Sequence, residues 1–323
     1  MQITINNIPV EASGEETILR AARRAGIEIP SLCSAEGAVH KSSCMVCAVR
    51  SGAAGQIIPA CTTLATEGME IVTDSEDVLL VRTLSLELLL SDHRADCEAP
   101  CSMLCPSGLD VERMLGYYDT GQHREAAEMI RAAFPLPGKE CDACKAPCEK
   151  ACRRGTVDQA VTIRAIIREV IEKEHLPAGN EAPPRPPKDK NLFYSRLGRF
   201  TEKEKSRLKE TVATPSRCLH CACAGRTDCK LRLYATAENI RRPRYDMSSS
   251  LPAMEKIHVG GRLWFEPAKC IRCGLCVYNS RNGFTFRDRG FGMQIVLPEE
   301  NRPNVSEELA GLCPTGAIYL IEN

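Results

Sequence analysis

Nineteen of the 323 residues are cysteines, and they fall into five groups. These are Cys33, Cys44, Cys47 and Cys61; Cys97, Cys101 and Cys105; Cys141, Cys144, Cys148 and Cys152; Cys218, Cys221, Cys223 and Cys229; and Cys270, Cys273, Cys276 and Cys313. Thiols at such spacings can form disulfides, bind zinc or hold iron–sulfur clusters. The three-cysteine group is preceded by His93 in HRADCEAPC, so nineteen thiols and one imidazole make five complete sets of four. Four ligands are what a structural zinc, a [2Fe-2S] or a [4Fe-4S] cluster each takes.

Composition narrows the choice. The opening MQITINNIPVEASGEET has neither a basic n-region nor an apolar h-region, and no run of about 18 apolar residues follows. The expectation is a cytoplasmic chain without a direct membrane span, where thiols stay reduced and cysteine clusters bind metal. Lys plus Arg equal Asp plus Glu at 42 each, which leaves no net field toward nucleic acid. The locally basic KDKNLFYSRLGRFTEKEKSRLK is interrupted by Glu202 and Glu204 and reads as a solvated helix face.

The elements that must hold the first set are legible. ITINNIPVEA alternates Ile3, Ile5 and Ile8 about an Asn6–Asn7 turn, as a hairpin does, and ETILRAARRAG carries Ile18, Leu19, Ala22 and Ala25 at helical spacing up to Gly26. Hairpin, helix and cysteine loop are the ground plan of a β-grasp ferredoxin. The pattern C-x10-C-x2-C-x13-C over Cys33, Cys44, Cys47 and Cys61, with PACTTLATEGMEIVTDSEDV, resembles the N-terminal [2Fe-2S] domain of the complex I large iron–sulfur subunit and the iron-only hydrogenases. A zinc ribbon would need a second short C-x2-C knuckle, which is missing.

VLLVRTLSLELLLSDH is an apolar helix ending at His93. In those same families an H-x3-C motif opens the next cluster, and His93 with Cys97 fits it; the following C-x3-C-x3-C-P departs from them. CEAPCSMLCPSGLDVERMLGYYDTGQHREAAEMIRAAF and CDACKAPCEKACRRGTVDQAVTIRAIIREV resemble instead the N-terminal two-cluster helical domain of the glutamate synthase small subunit and dihydropyrimidine dehydrogenase. That resemblance implies two [4Fe-4S] clusters, one on His93, Cys97, Cys101 and Cys152, the other on Cys105, Cys144 and Cys148. For the eighth ligand the family can use Gln or Glu in the next helix; Ile167 stands there, and Cys141 is the expected substitute. An imidazole in place of a thiolate makes a cluster easier to reduce.

LPAGNEAPPRPPKDKN, rich in proline and charge, reads as a spacer. Beyond it Cys218, Cys221, Cys223 and Cys229 form C-x2-C-x-C-x5-C, which suits either a [4Fe-4S] cluster or a structural zinc; His220, between two of them, is expected beside the ligands or facing solvent. Cys270, Cys273 and Cys276 in FEPAKCIRCGLCVYNS, with the distant Cys313 of GLCPTGAIYL, look like a ferredoxin module with one [4Fe-4S] cluster; Trp264 and Phe265 are read as core.

No G-x-G-x-x-G opens a helix and no P-loop occurs; RGFGMQ fails in spacing and context. The expected architecture is α+β and multidomain: a β-grasp [2Fe-2S] domain over 1–77, a helical two-cluster domain over 78–176, a linker over 177–215, a four-cysteine loop over 216–250 and a ferredoxin-like domain over 251–323. Clusters without a substrate site imply an electron relay in a hetero-oligomer. Its expected partners are a flavoprotein that oxidises NAD(P)H and a terminal redox subunit or ferredoxin, such as those of a hydrogenase, a formate dehydrogenase or a ferredoxin-linked reductase, with or without electron bifurcation. The alternatives are a self-contained enzyme with an open cluster position and a zinc-stapled scaffold.

Overall fold

The computed structural model describes residues 1–52, 55–93, 96–134, 139–175, 202–211, 214–223, 229–240, 244–245 and 256–320. The chain divides into two units, Met1–His93 with Thr227–Asn323, and Arg94–Arg226.

In the first unit, β1 (Gln2–Ile5) and β2 (Ile8–Glu11) form the hairpin, and both turn residues, Asn6 and Asn7, have positive φ (49° and 65°). Asparagine tolerates this left-handed backbone, and such a turn matches the twist of the strands it joins. Helix α1 (Ile18–Arg24) begins at Thr17, whose hydroxyl accepts from the Arg20 N–H. Its buried face is Ile18, Leu19, Ala21 and Ala22; Ala25 lies past the helix end and is exposed. On the hairpin Ile3, Ile5 and Val10 turn inward while Ile8, on the edge strand, is exposed. Strands β3 (Ala48–Ser51), β4 (Gln56–Pro59) and β5 (Glu70–Val72) complete a five-stranded sheet in the order β2-β1-β5-β3-β4, with β1 and β5 parallel. Helix α2 (Glu76–Asp92) starts with Glu76 and Asp77 in its first turn, where acidic groups complement the dipole, packs on β3, and ends at a buried His93.

The same unit contains the C-terminal residues. Helix α10 (Lys230–Ala237) packs on α2. Strands β6 (Ile257–Gly260), β7 (Leu263–Phe265) and β10 (Ile318–Leu320) form an antiparallel sheet in the order β10-β7-β6; β8 (Thr285–Arg287) pairs with β9 (Gln294–Val296). Short helices α11 (Leu275–Asn279) and α12 (Leu309–Leu312) pack on each other, and α12 on β10, beside a core that includes Phe265, Phe284, Ile295, Leu309 and Ile318. Phe265 and Phe284 meet edge to face at 5.1 Å, so Phe265 is core; Trp264 is half-buried against His258.

The second unit is helical among its described residues: α3 (Pro100–Leu104), α4 (Val111–Asp119), α5 (His123–Ala133), α6 (Lys139–Ala143), α7 (Pro147–Lys150), α8 (Ile163–Lys173) and α9 (Glu202–Thr211). Its core combines Met114, Leu115, Ala126, Ile130, Ile163, Ile167 and Val170 from the apolar faces of α4, α5 and α8. Ile167, at the position where the related family can place a ligand, is therefore a core residue. Helix α9 falls inside the span expected to be linker; the Pro-rich LPAGNEAPPRPPKDKN lies outside the described residues.

Candidate metal centres

Cys33, Cys44, Cys47 and Cys61 are all buried in the first unit. The first three lie on the loop from α1 to β3, and Cys61 follows β4. Their sulfurs touch pairwise: Cys33 with Cys44, Cys33 with Cys61, and Cys47 with Cys61. Backbone N–H groups converge as well, from Ser43 and Cys44 on Cys33, from Val46 and Leu32 on Cys44, and from Cys61 and Ala60 on Cys47. Contact with the Cys44 and Cys61 thiols favours the thiolate of Cys33, while contact with Cys33 holds Cys44 and Cys61 above the usual thiol range. Met45 reaches the left-handed region (φ 53°), which turns the loop so that these amides face the sulfurs. Four buried thiols meeting pairwise under a cradle of amides fit a [2Fe-2S] centre, which takes two thiolates on each iron.

Two side chains that the cysteine pattern did not signal brace this loop. His40 Nε2 donates to the Cys61 carbonyl at 2.9 Å. Arg82, buried on α2, donates through Nε to the Val46 carbonyl at 3.3 Å and through Nη2 to the Thr73 carbonyl at 3.1 Å.

Cys270, Cys273, Cys276 and Cys313 line one small cavity walled by Phe265, Leu275, Ile295 and Leu309. The Arg272 N–H donates to the Cys270 sulfur at 3.3 Å and the Ile318 N–H to Cys313 at 3.5 Å. Arg272 (φ 57°) and Gly274 (φ 81°) both adopt the left-handed backbone, which folds the C-x2-C-x2-C run round its own sulfurs. Burial raises the Cys270 thiol to about 12, and burial with neighbouring thiolates raises Cys273 and Cys276 too. Thiolates are therefore stable here only with a compensating cation, and a closed apolar cavity with four sulfurs on its walls fits a cubane.

The loops of these two sets meet within the first unit. Asn279 accepts the Val39 N–H at 2.9 Å and donates to the Val39 carbonyl at 2.7 Å, and the Lys41 ammonium lies 5.2 Å from the centre of the Tyr278 ring.

In the second unit, Cys105 ends α3, Cys141 lies on α6, Cys144 just follows it and Cys148 lies on α7. The structure brings these four together: burial raises Cys141 to about 12, with Cys105, Cys148 and Cys144 adding to it, and Cys148 to about 11, with Cys105 the strongest of the neighbouring charges. Cys101 is raised first by burial and then by Cys218 and Cys152. Cys152 is thus near Cys101, and so is the loop bearing Cys218 and Cys221. Asp96, next to Cys97, is fully buried; it is held bidentately by Arg153 at 3.1 Å, and its backbone pairs with Cys221 and Cys223. His93 closes the first unit's N-terminal part, and Cys229, the N-cap of α10, belongs to that unit as well, while residues 224–228 lie outside the described residues.

His220 does not face solvent. Its ring nitrogens sit 3.0 Å from Glu112 and from Asp119, and its N–H donates to the Cys218 sulfur at 3.3 Å. Burial opposes the imidazolium, but the bonds to Asp119, Cys218 and Glu112 prevail and lift its pKa to about 12. Held between two carboxylates, the imidazole favours its charged form, and an imidazolium beside Cys218 offsets thiolate charge.

Among the described residues, no three His, Cys, Asp or Glu side chains are arranged to hold a single metal ion, and no helix is long and apolar enough to cross a membrane.

Comparison with known proteins gives matches over the same stretches. Residues 1–76 match a 2Fe-2S iron-sulfur cluster binding domain, and residues 91–177 match dihydropyrimidine dehydrogenase domain II, 4Fe-4S cluster. A subunit of an NADH-quinone oxidoreductase of Rhizobium meliloti is 31% identical over 126 residues, 38% of this chain and 14% of that protein. NADP-reducing hydrogenase subunit HndD of Solidesulfovibrio fructosivorans is 31% identical over 166 residues, 47% of this chain and 27% of that one. NADPH-Fe(3+) oxidoreductase subunit alpha of Geobacter sulfurreducens is 29% identical over 156 residues, 46% and 18% respectively. The chain thus spans about a quarter or less of the length of these relatives. A crystal structure of NAD+-reducing [NiFe]-hydrogenase in the H2-reduced state superposes with a TM-score of 0.51 at 17% identity, over 99% of this chain and 86% of that one, a likeness of fold. The chain is a mixed helix and sheet iron–sulfur protein that carries a 2Fe-2S iron-sulfur cluster binding domain over residues 1–76 and a 4Fe-4S domain of the dihydropyrimidine dehydrogenase type over residues 91–177.

Proposed function

We propose that the chain is the electron-relay subunit of a cytoplasmic hetero-oligomeric oxidoreductase. A flavoprotein subunit would exchange electrons with NAD(P)H, and a hydrogenase, formate dehydrogenase or ferredoxin-linked reductase would do the terminal chemistry. The observation that carries this reading is the meeting of two cysteine sets in one unit, where Asn279 ties the two loops by both bonds to Val39 and Lys41 lies over the Tyr278 ring. Clusters held so close supply one-electron steps between partners, while the chain spaces them, shields them from water and fixes their surroundings. The names of the relatives, which describe subunits of NADH-, NADPH- and hydrogenase-linked enzymes, support the same reading.

The ligands in this proposal are Cys33, Cys44, Cys47 and Cys61 for a [2Fe-2S] centre, and Cys270, Cys273, Cys276 and Cys313 for a [4Fe-4S] centre. Cys105, Cys141, Cys144 and Cys148 hold a second [4Fe-4S] centre, and the His93, Cys97, Cys101 and Cys152 set read from the sequence holds a third. Cys218, Cys221, Cys223 and Cys229 take a fourth.

Anaerobic purification followed by iron, acid-labile sulfide and zinc analysis tests this. About 18 iron per chain is expected, or about 14 with one zinc if Cys218, Cys221, Cys223 and Cys229 hold zinc. A zinc-only, colourless protein sinks the relay. Adding NAD(P)H to the isolated chain should leave its absorption unbleached until a flavoprotein is supplied; bleaching without one would make the chain an enzyme in its own right.

A further inference from the structure

Resting on the reading of Cys33, Cys44, Cys47 and Cys61 as a [2Fe-2S] set, we propose that Arg82 raises the reduction potential of that centre from outside its ligands and that Glu238 counterbalances it. Arg82 is a cation buried in a helix face where Leu or Met would pack with less desolvation cost. Its guanidinium donates to the carbonyl of Val46, the residue before Cys47, and Val46 itself donates its N–H to the Cys44 sulfur. Drawing on that carbonyl polarises the Val46–Cys47 peptide and strengthens the Cys47 N–H as a donor. The charge of Cys47 is also felt at the guanidinium itself.

Among the described residues, Arg82 makes a loose ion pair with Glu238, 3.8 Å away just past the end of α10, and Asp74 acts on it more weakly. One electron added to the cluster set adds one negative charge, with no bond made or broken. A nearby cation stabilises that reduced state and an anion opposes it. Arg82 and Glu238 therefore move the potential in opposite directions, which packing alone would not do.

The test is a dithionite titration of the full chain, following the electron paramagnetic resonance of the reduced [2Fe-2S] centre at a temperature where [4Fe-4S] signals have broadened. Arg82→Gln is expected to weaken reduction about tenfold, a shift of ~59 mV to more negative potential for a one-electron couple. Arg82→Lys restores most of that loss, and Glu238→Gln shifts the potential the other way. An unchanged potential in Arg82→Gln, or shifts of the same sign in Arg82→Gln and Glu238→Gln, overturns the proposal. If Arg82→Gln fails to fold, Glu238→Gln alone decides: an upward shift supports the proposal and none refutes it. Absence of any [2Fe-2S] signal in the wild-type protein would instead overturn the underlying assignment.

Discussion

Replacing Gly274 by alanine should dismantle one candidate centre while sparing its neighbour. Gly274 sits between Cys273 and Leu275 with φ 81°, where an L-residue costs roughly 1–2 kcal/mol. A Cβ there would also meet Tyr278 Cε2 at 2.7 Å and Phe286 Cζ at 2.9 Å, and overpacking of that kind costs about 1–3 kcal/mol. Both rings are anchored, Tyr278 by Phe286 at 5.8 Å and by Lys41, so neither can swing away freely. The expected destabilisation is about 2–5 kcal/mol, the sum of the backbone and overpacking costs, borne by the Cys270, Cys273, Cys276 and Cys313 loop. Gly26→Ala is the internal control: its φ is 74° but a Cβ would meet nothing within 4 Å, so it should cost only the backbone part, about 1–2 kcal/mol. Denaturant unfolding with iron analysis reads both variants; Gly274→Ala should lose about four iron per chain and Gly26→Ala none. Equal stability and iron content in the two variants would refute the ring contacts and the cavity reasoning.

Further outcomes are expected elsewhere. Asn279→Ala removes both bonds to Val39, costs about 1–3 kcal/mol, and should weaken the magnetic interaction between the two reduced centres of the first unit, read by paramagnetic resonance. Arg154, fully buried, holds Asp158 at 2.7 and 2.8 Å and the Leu208 carbonyl at 3.2 Å; Arg154→Met leaves that carbonyl without its donor while Arg217 still pairs with Asp158, so it should destabilise the second unit by about 1–3 kcal/mol, and unchanged urea unfolding would contradict this. Burial alone would raise the Asp119 pKa, but bonds from His220 and Ser216 hold it below the usual carboxylate value. A depressed folded pKa adds stability above the unfolded value, about 3.9, and loses it as pH falls through the folded value. Wild-type protein should therefore lose more stability than Asp119→Asn between about pH 5 and pH 2, measured by unfolding at each pH.

Cysteine spacing marked where thiols gather, because groups that close over short loops depend on chain neighbours. The hairpin at Asn6–Asn7 and the helix that carries Ile18, Leu19 and Ala22 were legible for the same reason: backbone preferences and hydrophobic period act within a few residues. Hydrophobic spacing was less exact at element ends, where Ala25 and Ile8 prove exposed and Ala21 and Val10 take their places, since burial depends on which edge the rest of the fold covers. Ile167 illustrates the reverse, a core position that family analogy singled out for chemistry. Only the tertiary structure decided that the C-terminal cysteine loop meets the N-terminal one, since Val39 and Asn279 are 240 residues apart and no periodicity spans such a distance. The same holds for Arg82, His40 and His220, whose roles come from partners far along the chain. Charge and hydrogen bonding act through space, so a lone arginine on an apolar helix carries no mark of its use until the loop it supports is folded beside it.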